Sequence, residues 1–223
     1  MGFRILGTTV DEAIGNAFDK VAKMLEIPYE GAAAGAALER FCASGLRAGL
    51  DDIELTGEEI LMPRTMRGKL AFSYTSLHSA VERFVHTKQK EQAQGGLDEK
   101  TKLALARSFQ RAAVGQLEEK VVLGIRKCAQ EGIAVRSLVV SGGVASNQYL
   151  RERLRTCLDE ESPDEGISLV FPPPSLCTDN AAMIAWASMH RFMAGDTDDY
   201  TIESRPRWSL EDLEREEAGP SQM

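Results

Sequence analysis

Residues 137–154 read "SLVVSGGVASNQYLRERL". Leu138 to Val140 form a short apolar strand, Gly142 and Gly143 follow, and a helix starts near Ser146 or Asn147 with Leu150 and Leu154 on one face. A strand, a Gly-Gly turn and a helix N-terminus make an anion site: glycine lets the backbone approach a ligand, and free N–H groups with the helix dipole face it. Gly-Gly alone is a weak signal, because many turns contain it. A second copy of the device, downstream, makes it stronger.

That copy contains "FPPPSLCTDNAAMIAW" (171–186). "GISLVF" (166–171) is short, apolar and β-branched and reads as a buried strand. Pro172, Pro173 and Pro174 cannot donate to a ladder and end it. Thr178, Asp179 and Asn180 are all good N-cap residues, and the helix they open carries Met183, Ile184, Ala187 and Phe192 at helical spacing, with Gly195 at the C′ position. Asp179 reads equally as a cap or as a carboxylate held toward a cleft. Together the two copies form a βαβα unit with parallel strands, and open α/β sheets bind ligands outside the carboxyl ends of such strands. Asn147 and Asp179 are expected to look into one cleft.

Outward from this unit, the whole chain sets limits. Its 223 residues, 43% hydrophobic, suffice for one core or two small ones. The formal net charge of −8 is unlike that of a basic nucleic-acid-binding domain, so any contact with nucleic acid needs a local basic patch or a partner. Cys42, Cys128, Cys157 and Cys177 show no C-x-x-C pairing and read as reduced thiols of an intracellular protein. The three histidines, His78, His86 and His190, form no metal-ligand motif. No apolar run reaches the ~18 residues of a membrane span. The N-terminus resembles neither a signal nor a transit peptide, and Gly7 stands where a myristoylation motif wants Ser or Thr.

Along the chain, "TTVDEAIGNAFDKVAKMLEI" is expected to be one helix, opened by a Thr9–Glu12 capping box and burying Val10, Ala13, Ile14, Ala17, Phe18, Val21 and Leu25. On that helix Asp19 reads, from the residues alone, as a solvated partner of Lys23 four positions on. "YEGAAAGAALERFCASG" begins as a small-residue loop and ends as a short helix, and 45–67 looks irregular. "KLAFSY" (69–74) reads as a strand, and Thr75 or Ser76 caps a helix on which His78 is a surface residue. A long amphipathic helix covers 101–132, with Leu103, Ala106, Phe109, Ala113, Leu117, Val121 and Ile125 toward the core.

"GNAFDKVAKML", "FSYTSLHSAV", "VVSGGVASNQYLRERL", "FPPPSLCTDNAAMIAWA" and "RPRW", in that order, resemble the carboxyl-terminal part of the tRNA threonylcarbamoyladenosine synthases, in their TsaD-like bacterial and mitochondrial branch. The resemblance covers nearly all of residues 4–210. It implies an α/β fold of the actin, hexokinase and Hsp70 ATPase-like (ribonuclease H-like) class, two related domains around a nucleotide cleft. It implies an acyltransferase that moves a threonylcarbamoyl group from threonylcarbamoyl-adenylate to N6 of the adenosine 3′ to the anticodon in tRNA. By resemblance Asp19 contacts the adenylate ribose, Gly31 or Ala32 belongs to the small-residue substrate loop, and Gly142, Gly143 and Asn147 lie over the adenylate. Asp179 ligates one divalent metal ion, iron or zinc, which would orient the acyl donor and polarise its carbonyl. No residue is assigned as catalytic in the stricter sense.

Several positions depart from the family pattern. The histidine ligands of an H-x-x-x-H helix and a Ser-Gly-Gly-His-Thr loop are absent, "YEGAAAG" replaces a Pro-Gly-Gly loop, Asn16 replaces Glu, and His78 stands where Lys is expected. The chain is therefore expected to be incomplete, lacking most of the first domain, inactive alone and weak in binding iron or zinc. Residues 1–178 are expected to form the second α/β domain with helical insertions, 179–210 a terminal helix and segment returning toward the missing first domain, and 211–223 a disordered tail. Expected partners are tRNA, threonylcarbamoyl-adenylate, and a second copy or pathway proteins, with no membrane; the expected compartment is mitochondrial, or alternatively cytoplasmic. Competing readings are a non-catalytic truncated partner or scaffold, and another carbamoyltransferase or kinase of the same fold class.

Overall fold

A computed structural model describes residues 3–29, 33–47, 61–91, 96–161, 166–173, 176–177 and 181–204. The chain divides into two units, one of residues 7–177 and one of residues 1–6 with 178–223. The architecture is mixed α/β and rich in helix, with two small parallel sheets among the described residues.

In the larger unit β1 (Thr8–Thr9) pairs in parallel with β2 (Ala71–Phe72). This pairing overturns the expected first helix. Thr9 is opposite Phe72 and does not cap; its hydroxyl donates to the Glu12 carbonyl, and α1 begins only at Ile14 and runs to Met24. Asp11 fastens the entry instead, accepting from the N–H groups of Glu12 and Tyr74 and from the Ser73 hydroxyl at 2.6 Å. Val10 and Ala13, expected in the buried stripe, are exposed, whereas Ala17, Phe18, Val21 and Leu25 are buried as the 3.6-residue period requires. The expected strand 69–74 is reduced to Ala71–Phe72, because the side chain of Gln116 pairs with both the N–H and the carbonyl of Ser73 and ends the ladder there.

α1 packs on α2 (Ala34–Arg47), α3 (Thr75–Glu91) and the first half of α4 (Glu99–Gln130). Phe18 and Phe109 meet edge to face at 5.1 Å between ring centroids in this core. α4 starts two residues earlier than expected because Asp98 caps it, accepting from the N–H and hydroxyl of Thr101. Its second half meets Leu150 and Leu154 of α5 (Gln148–Glu161) in a second, smaller core.

β3 (Ser137–Val139) and β4 (Ser168–Val170) pair in parallel, in the register Leu138 to Leu169. They are not buried on both faces as continuous apolar runs suggest: Val139 and Val170 are exposed. In the smaller unit the expected terminal helix is broken into α6 (Ala181–Ala187) and α7 (Met189–Ala194). Ser188 sits at the break, and its hydroxyl donates to the Ile184 carbonyl, the back-bonding that bends helices. Gly195 ends α7 with φ 68°, a left-handed value that favours glycine. No described helix is long and apolar enough to cross a membrane.

Candidate nucleotide site

Gly142 has φ 103° and ψ 170°, a conformation open to glycine and few other residues. After it Gly143–Ser146 form one 3₁₀ turn, closed by Ala145 N–H on the Gly142 carbonyl and Asn147 N–H on Val144. Asn147 is buried and caps α5, its Oδ1 accepting from the N–H of Leu150 at 2.9 Å. A Cβ added at Gly142 or Gly143 would meet nothing within 4 Å, so the backbone here borders open space.

Arg151 joins this loop to the one that follows β4. Its Nε donates to the Ala145 carbonyl at 2.7 Å, Nη2 reaches the Pro172 carbonyl, and the guanidinium lies 4.4 Å from the Phe171 ring centroid. The carboxyl ends of the two parallel strands are thus tied together by one side chain.

Asp19 comes to this rim through α2. Its Oδ1 accepts from the N–H of Gly35 at 2.7 Å, and not from Lys23 as the helical spacing suggested. A side chain at position 35 would come within 3.3 Å of that same oxygen. Oδ2 of Asp19 has no partner among the described residues and stays available to a ligand. One turn before Asp19, about 6 Å along the axis, a Cβ at Gly15 would lie 3.5 Å from Val144. Glu39, one turn after Gly35, accepts from the N–H of Gln148 at 2.6 Å. Three contacts therefore close a ring: α1 to α2 through Asp19, α2 to α5 through Glu39, and the Gly-Gly loop back to α1 through Val144.

The ring changes one expectation. The α5 N-terminus is not left as an anion cradle, because Glu39 and Asn147 already occupy the N–H groups of Gln148 and Leu150. Burial pushes the Glu39 carboxyl above its ordinary range, against the Gln148 hydrogen bond and the charges of Arg40 and Arg151. Nothing in "GAALERF" (35–41) marked Gly35 or Glu39 beforehand: they read as spacer and surface residues, and their partners are far away in sequence.

His78 is a second correction. It is buried, and its Nδ1 pairs with the Glu12 carboxylate, which Lys20 also holds at 2.6 Å. Gly31, Ala32 and Asp179 lie outside the described residues. Among the described residues no group of three or more His, Cys, Asp or Glu could hold a metal ion, so these residues by themselves do not fit one.

Comparison with known proteins places the chain in a family. The family model described as tRNA N6-adenosine threonylcarbamoyltransferase matches residues 1–186. Proteins of that name from Paramagnetospirillum magneticum and Chromobacterium violaceum are each 38% identical, over 96% and 95% of this chain and 56% and 55% of their own lengths. An Arabidopsis thaliana protein named "Probable tRNA N6-adenosine threonylcarbamoyltransferase, mitochondrial" is 34% identical over 92% of this chain and 43% of its own length. The chain spans about half the length of the curated relatives it matches. Every element of the ring, from Gly15 to Gln148, falls inside the matched residues, and the chain belongs to the tRNA N6-adenosine threonylcarbamoyltransferase family.

Proposed function

We propose that this chain supplies the adenylate-binding half of a threonylcarbamoyl transfer to tRNA, within an actin/hexokinase/Hsp70 ATPase-like fold. In the reaction, N6 of the adenosine beside the anticodon attacks the threonylcarbamoyl carbonyl carbon. The C–O bond to the adenylate phosphate breaks, AMP leaves, and the amine loses a proton. Asp19 Oδ2 accepts from a ribose hydroxyl, and the Gly142–Gly143 backbone lies against the nucleotide. Asn147 acts through α5, as a cap that keeps the loop in place. The observation that carries the reading is the ring joining Asp19 to the Gly-Gly loop across more than a hundred positions. Gly31, Ala32, Asp179 and a divalent iron or zinc ion belong to the proposal by family resemblance alone, and the name of the Arabidopsis relative supports a mitochondrial compartment.

The test is thermal protection by a non-hydrolysable threonylcarbamoyl-adenylate analogue. At about a hundred times Kd a ligand stabilises the folded state by roughly 2.7 kcal/mol. Wild-type chain is expected to be protected and Asp19→Asn not, because Asn keeps the Oδ1 acceptor for the Gly35 N–H, and with it the unliganded melting temperature, but puts a donor where Oδ2 accepts. Equal protection of both proteins would sink the assignment of Asp19.

A further inference from the structure

A cleft of about 840 Å³ opens between the 61–67 segment, the middle of α4 and the start of α5. Its floor is one face of α4 made of small residues, Ser108, Ala112 and Gly115, at spacings that share a helix face. Its walls carry four arginines, Arg64, Arg67, Arg111 and Arg153, and the ring of Tyr149. Among the described lining residues Glu118 and Glu119 alone oppose them, so those residues sum to a positive charge in a chain of net charge −8.

The arginines stand on a fastened frame. Lys120, nearly fully buried, donates through Nζ to the Met66 carbonyl at 2.7 Å, and Glu119 accepts from the N–H of Gly68 at 2.7 Å. Gln116 Nε2 reaches the Thr65 hydroxyl, and that hydroxyl donates to the Ser73 carbonyl. Met66 at φ 53° and Gly68 at φ 70° bend the segment that carries Arg64 and Arg67. Arg153 is held by two bonds to Glu118, at 2.6 and 3.1 Å. Arg64 and Arg111 are exposed and make no hydrogen bond or ion pair among the described residues. Burying a lysine to fix a loop that presents the unpaired Arg64 is costly for stability alone.

We propose that this cleft binds the phosphodiester backbone of the RNA substrate, a proposal that rests on the tRNA reading above. Guanidinium forks match phosphate oxygens in two-bond geometry, which ammonium groups do not. An aromatic ring beside them suits an unstacked base. The apolar lining residues Leu61, Met62 and Pro63 lie on the same segment as Arg64 and Arg67, and the small residues of the floor leave room for a phosphodiester chain to approach the guanidinium groups. An acidic chain needs such a local patch, since its overall field repels RNA.

The experiment measures anisotropy of a fluorescein-labelled, unmodified tRNA transcript with the full chain between about 50 and 200 mM KCl. Arg64→Gln with Arg111→Gln is expected to weaken binding roughly fivefold or more at low salt and to flatten the log–log salt slope by about 1.4, at ~0.7 per lost contact. Arg83→Gln with Lys90→Gln changes net charge equally outside the cleft and is expected to stay within about twofold of wild type. Circular dichroism and the adenylate protection of each variant show whether it folds; should the double Gln variant fail there, Arg64→Lys with Arg111→Lys takes its place, expected to lose part of the affinity. Equal losses in the cleft and control variants, no change in the cleft variant, or no binding of tRNA by wild type would each overturn the proposal. So would tighter binding of poly-glutamate than of tRNA, which assigns the cleft to an acidic protein segment, or binding of inorganic phosphate alone. Adenylate protection that persists while the cleft variant still binds tRNA leaves the functional reading standing and removes only the cleft. Lost adenylate protection with cleft-dependent tRNA binding does the reverse.

Discussion

Glu39 and Gln148 stand 109 positions apart in sequence, and the carboxylate of the first lies 2.6 Å from the backbone nitrogen of the second. That bond links the helix that aims Asp19 to the helix that follows the Gly-Gly loop. It has a half-buried carboxylate where a solvated one would be cheaper.

The pH dependence of stability follows from the sign of that cost. A carboxyl whose folded-state pKa is raised contributes its full stability below the unfolded value near 4.5 and loses it as pH rises through the folded value. Glu39→Gln keeps an acceptor for Gln148 and removes the ionisation. The melting temperature of Glu39→Gln relative to wild type should therefore climb as pH goes from about 4 to about 7. A difference that stays flat, or falls, across that range would show that Glu39 is not held against burial.

Asp11 behaves in the opposite sense. Burial raises its pKa, but hydrogen bonds from the Ser73 hydroxyl and the N–H groups of Tyr74, Glu12 and Thr75 outweigh it and bring the carboxyl from 3.8 down to about 2. Its stabilisation is complete above pH 3.8 and is lost as pH falls toward 2. Asp11 is exposed, so the effect is modest: Asp11→Asn should cost about 1 kcal/mol at neutral pH and less at pH ~2. Urea titrations at the two pH values measure it.

Two glycines separate folding from binding. At Gly7 a Cβ would lie 2.4 Å from the Leu70 carbonyl oxygen, a backbone atom that cannot step aside. Gly7→Ala should destabilise by about 2 kcal/mol or more, by forcing β1 away from the chain entering β2. At Gly143 the added methyl meets nothing within 4 Å, and φ is not positive. Gly143→Ala should leave stability unchanged or raise it by up to about 1 kcal/mol. The same variant should lose adenylate protection, since the methyl fills the open side of the backbone. Retained protection would place the nucleotide elsewhere.

Phe109 reports on the larger core. It is fully buried and meets Phe18 edge to face. Phe109→Ala should cost about 3–5 kcal/mol, read as a lower denaturation midpoint at an unchanged m value. A loss under about 1 kcal/mol would mean that α1 and α4 are not held together there.

The elements with strong local signals could be read from sequence alone. The 3.6-residue period marked the buried faces of α1 and α4, the apolar runs marked β3 and β4, and Gly-Gly followed by Asn marked the turn and cap before α5. These signals work because each is a property of neighbours in the chain: helix spacing, ladder length, a φ that needs glycine. Tertiary structure decided the rest. Thr9 has the residue type of a cap and became a strand residue because Phe72 offered it a ladder. His78 looked like surface and was buried because Glu12 came to meet it. Asp19 had a ready partner in Lys23, and the N–H of Gly35 displaced it with a fixed dipole that needs no side chain to be ordered. Glu39, the frame of Lys120 and the arginines of the cleft left no periodic trace, because a contact between residues far apart costs loop-closure entropy that only the assembled core repays.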